Sequence, residues 1–192
     1  MRGAHRAKGG AGRHRGVTLV ELMVALTVLA VLLGVGVPSF ARMMAANRMA
    51  SRTNELVGAL NLARMEAVRR GDFVTLRTGG SGGDFSSGWR LFVDAEADGT
   101  QDASATLREM TGLTGTTAMK RVTRSGTPGA YSYADSSAAD RDYIVFNARG
   151  ANQGGAAAFF RICDPGQTAV KGRVVQVSPV GRITLDSTAE TC

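Results

Sequence analysis

Histidine is missing from all but the first sixteen residues of this 192-residue chain, where His5 and His14 stand. The same stretch holds Arg2, Arg6, Lys8, Arg13 and Arg15 and no acidic residue. If these sixteen residues are removed, no imidazole remains, which excludes a Ser-His-Asp or Cys-His mechanism and any zinc site that needs histidine. Removal also lowers the net charge from +7 to +2, because 23 Lys and Arg fall to 18 against 16 Asp and Glu. The basic character is mostly a property of this leader. Cysteine is nearly as scarce, with only Cys163 and Cys192. No internal repeat is visible, and the length suits one domain of ordinary size with a modest core.

What the chain has instead is a long run almost without charge. Residues 17–37 read VTLVELMVALTVLAVLLGVGV, with Glu21 the lone ionisable side chain. At about 1.5 Å per residue such a helix spans roughly the hydrocarbon thickness of a bilayer. The basic leader in front of it holds the N-terminus in the cytoplasm by the positive-inside bias, so residues after Pro38 are expected on the far side of the membrane. An ordinary secretory signal does not fit, since the run is too long and no A-x-A-like site closes it. Glu21 is the informative residue. A carboxylate costs on the order of 2.5–3.5 kcal/mol at the centre of a span and less near its end, so it calls for a partner. Cleavage after Gly16 would supply one, the new ammonium of Val17, one helical turn away or beside Glu21 of a neighbouring subunit. The alternative is a glutamate snorkelling to the cytoplasmic interface.

Beyond Pro38 the pattern stays helical but becomes amphipathic. Met49, Leu56, Leu60, Ala63 and Ala67 recur at helical spacing, with Arg48, Arg52, Glu55 and Glu66 elsewhere around the wheel. Glu66 supports Arg69 and Arg70 from one turn back, and Gly71 supplies a stop. The reading is one helix over 17–70, with 17–37 as its transmembrane half and 38–70 as its amphipathic half. Short apolar or alternating runs follow at 73–77, 89–93, 106–110, 119–124, 143–147, 158–163, 173–178 and 182–185, separated by Gly, Ser, Asp and Pro. They predict strands in hairpins, with mobile loops at 78–83 and 111–118. The expected fold class is α+β: a long N-terminal helix packed on an antiparallel β head formed by 71–192.

At Arg15-Gly16-Val17-Thr18-Leu19-Val20-Glu21-Leu22-Met23 the sequence resembles the class III signal of type IV prepilins and pseudopilins. The shared features are a basic leader over 1–16, a glycine before the cut, Thr-Leu-x-Glu-Leu after it and an unbroken apolar helix with Pro38 near its end. The resemblance implies cleavage between Gly16 and Val17 by a prepilin peptidase, N-methylation of Val17, and a role for Glu21 in filament assembly. The family's first mature residue is most often Phe or Met; here it is Val17. A second set of motifs resembles the GspH/FimT group of minor pilins and minor pseudopilins, including its pilin-like fold. These are Asn54-Glu55-Leu56-Val57, the run from Leu62 through Arg64 and Glu66 to Gly71, Gly88-Trp89-Arg90-Leu91-Phe92-Val93-Asp94, and Val177-Ser178-Pro179-Val180-Gly181-Arg182. The LARxEAxRRG run leans toward the FimT side, while 111–142 matches nothing in the group.

Several constellations with chemical potential remain to be weighed. Gly79-Gly80-Ser81-Gly82-Gly83 has the form of a G-x-S-x-G nucleophile elbow but lacks a following helix and a histidine, so it reads as a flexible loop. Asp94, Glu96, Asp98, Gly99 and Asp102 open like a calcium loop, yet Ala105 stands where the bidentate twelfth ligand belongs; a solvated acidic turn is the preferred reading. In the oxidising compartment expected for the head, Cys163 and Cys192 are expected to pair. That disulfide would close a 30-residue loop, worth roughly 3–4 kcal/mol by chain entropy. The chain after Gly16 has 16 Arg but only Lys120 and Lys171 as lysines, so an anion-binding surface would be made of guanidinium forks. FimT relatives that take up DNA carry a Gly-Arg-x-Arg motif; here it is Gly181-Arg182-Ile183-Thr184, with Arg161, Lys171 and Arg173 as possible members of the same patch. A solvated turn is preferred there over a DNA site.

The sequence thus predicts a non-enzymatic filament subunit without cofactor or metal. It is expected in the inner membrane with its head in the periplasm, and then in a pilus or pseudopilus. The implied partners are other major and minor pilin subunits, the prepilin peptidase and the inner membrane, with DNA as a further one. The expected role is in assembly of a type IV pilus; the alternatives are a minor pseudopilin of type II secretion and a DNA-binding minor pilin for transformation.

Overall fold

A computed structural model describes residues 16–101, 106–113, 116–127, 130–136, 142–166 and 170–186. The chain divides between Phe40 and Ala41 into two compact units. A single helix, α1 (Leu19–Arg70), belongs to both. In the first unit every described residue, 16–40, is exposed. Thr18 caps α1: its hydroxyl accepts the N–H of Glu21 at 3.2 Å and its carbonyl the N–H of Leu22 at 3.1 Å. The helix therefore begins two residues later than expected and leaves Gly16 and Val17 outside it. Pro38 sits inside α1 without ending it.

In the second unit α1 buries Ala45, Met49, Thr53, Leu56, Ala59, Leu60, Ala63 and Ala67. The five residues expected on the apolar face are all there. Ala45, Thr53 and Ala59 complete it, and Thr53 hides its hydroxyl by donating to the Met49 carbonyl at 2.6 Å. At the C-terminus the N–H groups of Gly71 and Asp72 both reach the Ala67 carbonyl, at 3.0 and 3.3 Å, with Gly71 in the left-handed region at φ +68°. That is the glycine stop the sequence announces.

Among the described residues nine strands follow: β1 (Val74–Thr78), β2 (Gly88–Val93), β3 (Thr106–Thr111), β4 (Ala118–Thr127), β5 (Ala130–Asp135), β6 (Tyr143–Phe146), β7 (Ala158–Cys163), β8 (Arg173–Val177) and β9 (Ile183–Asp186). They form two antiparallel sheets, one ordered β3-β2-β1-β6 and the other β5-β4-β7-β8-β9. Period-two alternation sends Leu76, Trp89, Leu91, Phe160, Ile162, Val175 and Val177 into the same core as the helical stripe. The opposite face of β7 and β8 gives Phe159 and Val174 to a smaller cluster with Val122 and Tyr133. Eight of these strands lie where the alternating runs predict them. The ninth, β5, is an unpredicted edge strand paired with the far half of β4, in a register that sets Thr127 opposite Ala130.

The loops expected to be mobile are tied down where they are described. Thr78 belongs to β1 and its hydroxyl donates to the Asp84 carbonyl at 2.5 Å, while the Gly83 N–H reaches the Asp142 carboxylate at 2.6 Å. A single 3-10 turn at Phe85–Ser87, capped by Asp84, follows the glycine run. It buries Phe85 edge-on against Phe160, ring centroids 5.1 Å apart, and so serves the core. In the 111–118 loop, the Leu113 N–H is held by the Ser86 carbonyl at 2.7 Å and Thr117 is buried.

Candidate functional site

The first site is the N-terminal segment. Gly16 has nothing within 4 Å of the position a Cβ would take, and Val17 is 69% exposed, so the bond between them is accessible and lies outside the helix. Immediately after the Thr18 cap, α1 is apolar all round from Leu19 to Phe40 apart from Thr27, Ser39 and Glu21. The Thr27 hydroxyl is satisfied within the helix by the Met23 carbonyl at 2.8 Å. The helix is long and apolar enough to cross a membrane.

The second site is a junction on the head built from α1 and two turns. Asn147 organises the first turn, its side-chain oxygen accepting the N–H groups of Arg149 at 3.0 Å and Ala151 at 3.1 Å. The second turn is Ser178-Pro179-Val180-Gly181, closed by the Gly181 N–H to the Ser178 carbonyl at 2.9 Å. Gly181 has φ +76°, and a Cβ there would stand 1.8 Å from the Gly150 carbonyl oxygen. Arg64 of α1 donates its Nε–H to that same carbonyl at 3.0 Å, and Asn152 N–H binds the Pro179 carbonyl at 3.0 Å. The Arg64 of the LARxEAxRRG run and the Gly181 of the terminal motif are thus parts of one contact. It brings together the turns that carry the exposed Arg149 and Arg182, a proximity of backbone that separation in sequence conceals.

The other residues expected in a basic patch are elsewhere. Arg182 precedes β9 at the β8–β9 turn, whereas Arg173 opens β8 at its other end opposite Ile162. Lys171 is exposed just before β8. Arg161 is engaged: it donates to the Tyr133 carbonyl and to the Asp135 carboxylate, each at 3.1 Å, and Asp135 also holds Lys120 at 3.0 Å. Arg161 and Arg173 lie at the end of the β7–β8 pair away from Arg182 and on opposite faces of the sheet, so no single patch joins them to Arg182.

Two carboxylates have structural occupations. Asp94 is fully buried and accepts from the Thr75 hydroxyl at 2.7 Å and the N–H groups of Gly99 at 2.9 Å and Asp98 at 3.3 Å. The calcium-like turn therefore folds around its first carboxylate instead of offering it to an ion, and no group of three His, Cys, Asp or Glu fit for a metal occurs among the described residues; Asp102 lies outside them. Asp164, beside Cys163, is also fully buried. The Thr116 hydroxyl at 2.6 Å, aided by Arg48 at 3.4 Å and the Gly166 N–H at 3.2 Å, holds its carboxyl below the usual carboxylate range against the opposing effect of burial. On α1, hydrogen bonds from Arg69 and Arg70 lower Glu66, and Glu66 in turn raises Arg69. No free cysteine occurs among the described residues; Cys192, the expected partner of Cys163, lies outside them.

A long helix with an exposed apolar first half, a free glycine before its cap, and antiparallel sheets packed on its second half define a pilin-like subunit. Residues 52–181 match the family described as Type II transport protein GspH, and residues 12–37 match the prokaryotic N-terminal methylation motif. The chain belongs to the GspH family. The pilin-like protein PilA1 of Thermus thermophilus is 38% identical over 90 residues, 46% of this chain and 53% of that one, so the likeness spans about half of each. The crystal structure of the type IV minor pilin FimU of Pseudomonas aeruginosa superposes with a TM-score of 0.56 at 26% identity, over 74% of this chain and 92% of that one. The minor pseudopilin EpsH of the Vibrio cholerae type 2 secretion system gives a TM-score of 0.43 at 13% identity over 74% and 95%.

Proposed function

We propose that this chain is a non-enzymatic minor pilin, held in the inner membrane by residues 17–37 with its head in the periplasm and then incorporated into a type IV pilus. The observation that carries the reading is the N-terminal segment. A methylation motif runs into a helix whose residues 19–40 are all exposed and, Glu21 excepted, uncharged, a surface that must be covered by lipid or by neighbouring helices. Prepilin peptidase cuts after Gly16 and Val17 is methylated. The Val17 amine then answers Glu21, and other pilin subunits are the partners of the helix. The likeness to the minor pilin FimU and to PilA1 favours the pilus over type II secretion. In this account Cys163 pairs with Cys192 and ties down the end of the chain.

Co-expression with a prepilin peptidase tests the reading. Glu21→Ala is expected to be cleaved normally yet to be depleted from sheared filaments, because removal of the carboxylate spares the peptidase site and deletes the partner of the new N-terminus. Gly16→Ala is expected to slow cleavage and larger residues to stop it. An E21A chain that enters filaments as the unchanged protein does would contradict the role of Glu21. Recovery from a secretion pseudopilus instead would move the chain to the other system.

One observation supports a second role in binding DNA: Arg149 joins Arg182 at the junction of the two turns. Exposed arginines on two adjoining turns can contact successive phosphates, so binding would be independent of sequence and steeply weakened by salt. Thr184→Arg would strengthen it, and Arg149→Ala and Arg182→Ala would each weaken it, in filter binding of the full-length protein at low salt. No response to any of the three excludes this surface.

A further inference from the structure

Arg77 on β1 and Arg90 on β2 are direct partners across the antiparallel pair and lie on the same face of the sheet. Like charges placed so are unfavourable, and natural sheets usually set an opposite charge or an uncharged residue there. Both guanidinium groups line a cleft of about 190 Å³ whose remaining walls include Thr78, Thr100 and Gln101. The cleft exists because the turn after β2 folds back over the sheet. Asp94 fixes its start through Thr75 and Gly99, and Gly99, at φ +80°, lies so close to the Tyr143 ring that a Cβ there would come within 2.5 Å of it.

The partners the two arginines already have leave Arg77 without a counter-charge and Arg90 with only a loose, exposed one. Arg77 donates to the Gly99 carbonyl at 2.6 Å and lies 5.8 Å over the Tyr143 ring, and neither group carries a charge. Arg90 donates to the side-chain oxygen of Gln101 at 3.3 Å. Its direct partner on β3, Glu109, is at the loose distance of 3.8 Å with its side chain 63% exposed, an ion pair that water screens. Asp98, on the turn, is occupied in capping the Thr100 N–H at 2.6 Å. Each guanidinium has five N–H donors in a planar fork, so donors remain on both.

We propose that this cleft binds a single oxyanion group, carboxylate or phosphate, held in a fork between Arg77 and Arg90. The volume suits one such group with a short stem. An anion there exchanges a cross-strand repulsion for two charge-assisted contacts. In a filament the group is a carboxylate side chain of an adjacent subunit or a soluble oxyanion, and the two sources share the chemistry that recognises them.

Thermal unfolding of the full-length protein in detergent micelles, followed by near-UV circular dichroism, tests this with sodium phosphate and sodium acetate titrated separately against sodium chloride of equal ionic strength. At concentrations several-fold above half-saturation, a saturable rise of about 2–4 °C over the chloride control is expected with at least one probe. A response to acetate alone assigns the site to carboxylates and a response to phosphate alone to phosphate groups; either supports the proposal. Arg90→Gln is expected to lose the rise while unfolding no lower than the wild type without ligand, because the repulsion is gone. Identical midpoints in all three salts, or a rise that survives in R90Q, would overturn it.

Discussion

Gly181 shows how a single atom can be ruled out by its surroundings. Its positive φ already disfavours a side chain, and the Gly150 carbonyl occupies the space a Cβ needs. Gly181→Ala must push apart the two turns and the Arg64 hydrogen bond that joins them to α1. A loss of at least about 2 kcal/mol is expected in denaturant unfolding, well above the usual effect of a surface substitution. Asp164 makes the corresponding case for charge. Its carboxyl is held below the usual range, so it takes up its proton at lower pH in the folded chain than in the unfolded one. Its contribution is complete above the unfolded value of about 3.9 and is lost as pH falls through the lower folded value. Acid unfolding monitored by tryptophan fluorescence should therefore be shifted to higher pH, closer to neutral, in Thr116→Ala, which removes the principal donor; an unchanged profile would contradict this account of Asp164.

At the scale of elements, α1 is legible because its period is long and its C-terminal stop at Gly71 is explicit, whereas the Thr18 cap that starts it is not read from the sequence. Thirty residues of 3.6-fold pattern from 41 to 70 outvote any local ambiguity, and Gly71 ends them. The stripe was still incomplete: Ala45, Ala59 and Thr53 carry little hydrophobic signal, yet small residues are what let a sheet approach a helix, and Thr53 conceals its hydroxyl in the helix itself. Leu60→Ala, in the centre of that stripe, is expected to cost about 2–5 kcal/mol in denaturant unfolding, the range for a buried leucine replaced by a cavity. A change below 1 kcal/mol, on the order of a surface substitution, would mean the helix does not depend on the sheet. The strand β5 was missed because only Tyr133 among its described side chains is buried and its neighbours alternate weakly; an edge strand needs apolar residues on one face at most. The candidate site was legible in part for a similar reason. A motif keeps Gly181 beside Arg182 in sequence, but Arg149 reaches them only through the close approach of two turns, and the opposition of Arg77 and Arg90 exists only once the register of β1 and β2 is fixed.

The whole molecule divides its tasks along the chain. Residues 16–40 supply an exposed surface without charge except Glu21 and an accessible Gly16–Val17 bond; the second unit supplies a packed head in which α1, two sheets and two glycine turns hold each other in place. Membership of the GspH family and the methylation motif fit that division. Mass spectrometry of the N-terminal peptide of this protein, recovered from sheared pili of cells that carry a prepilin peptidase, tests the account most directly. The account predicts a peptide that begins at N-methylated Val17; a chain that still carries residues 1–16, or that begins elsewhere, or that is absent from the filaments, would contradict it.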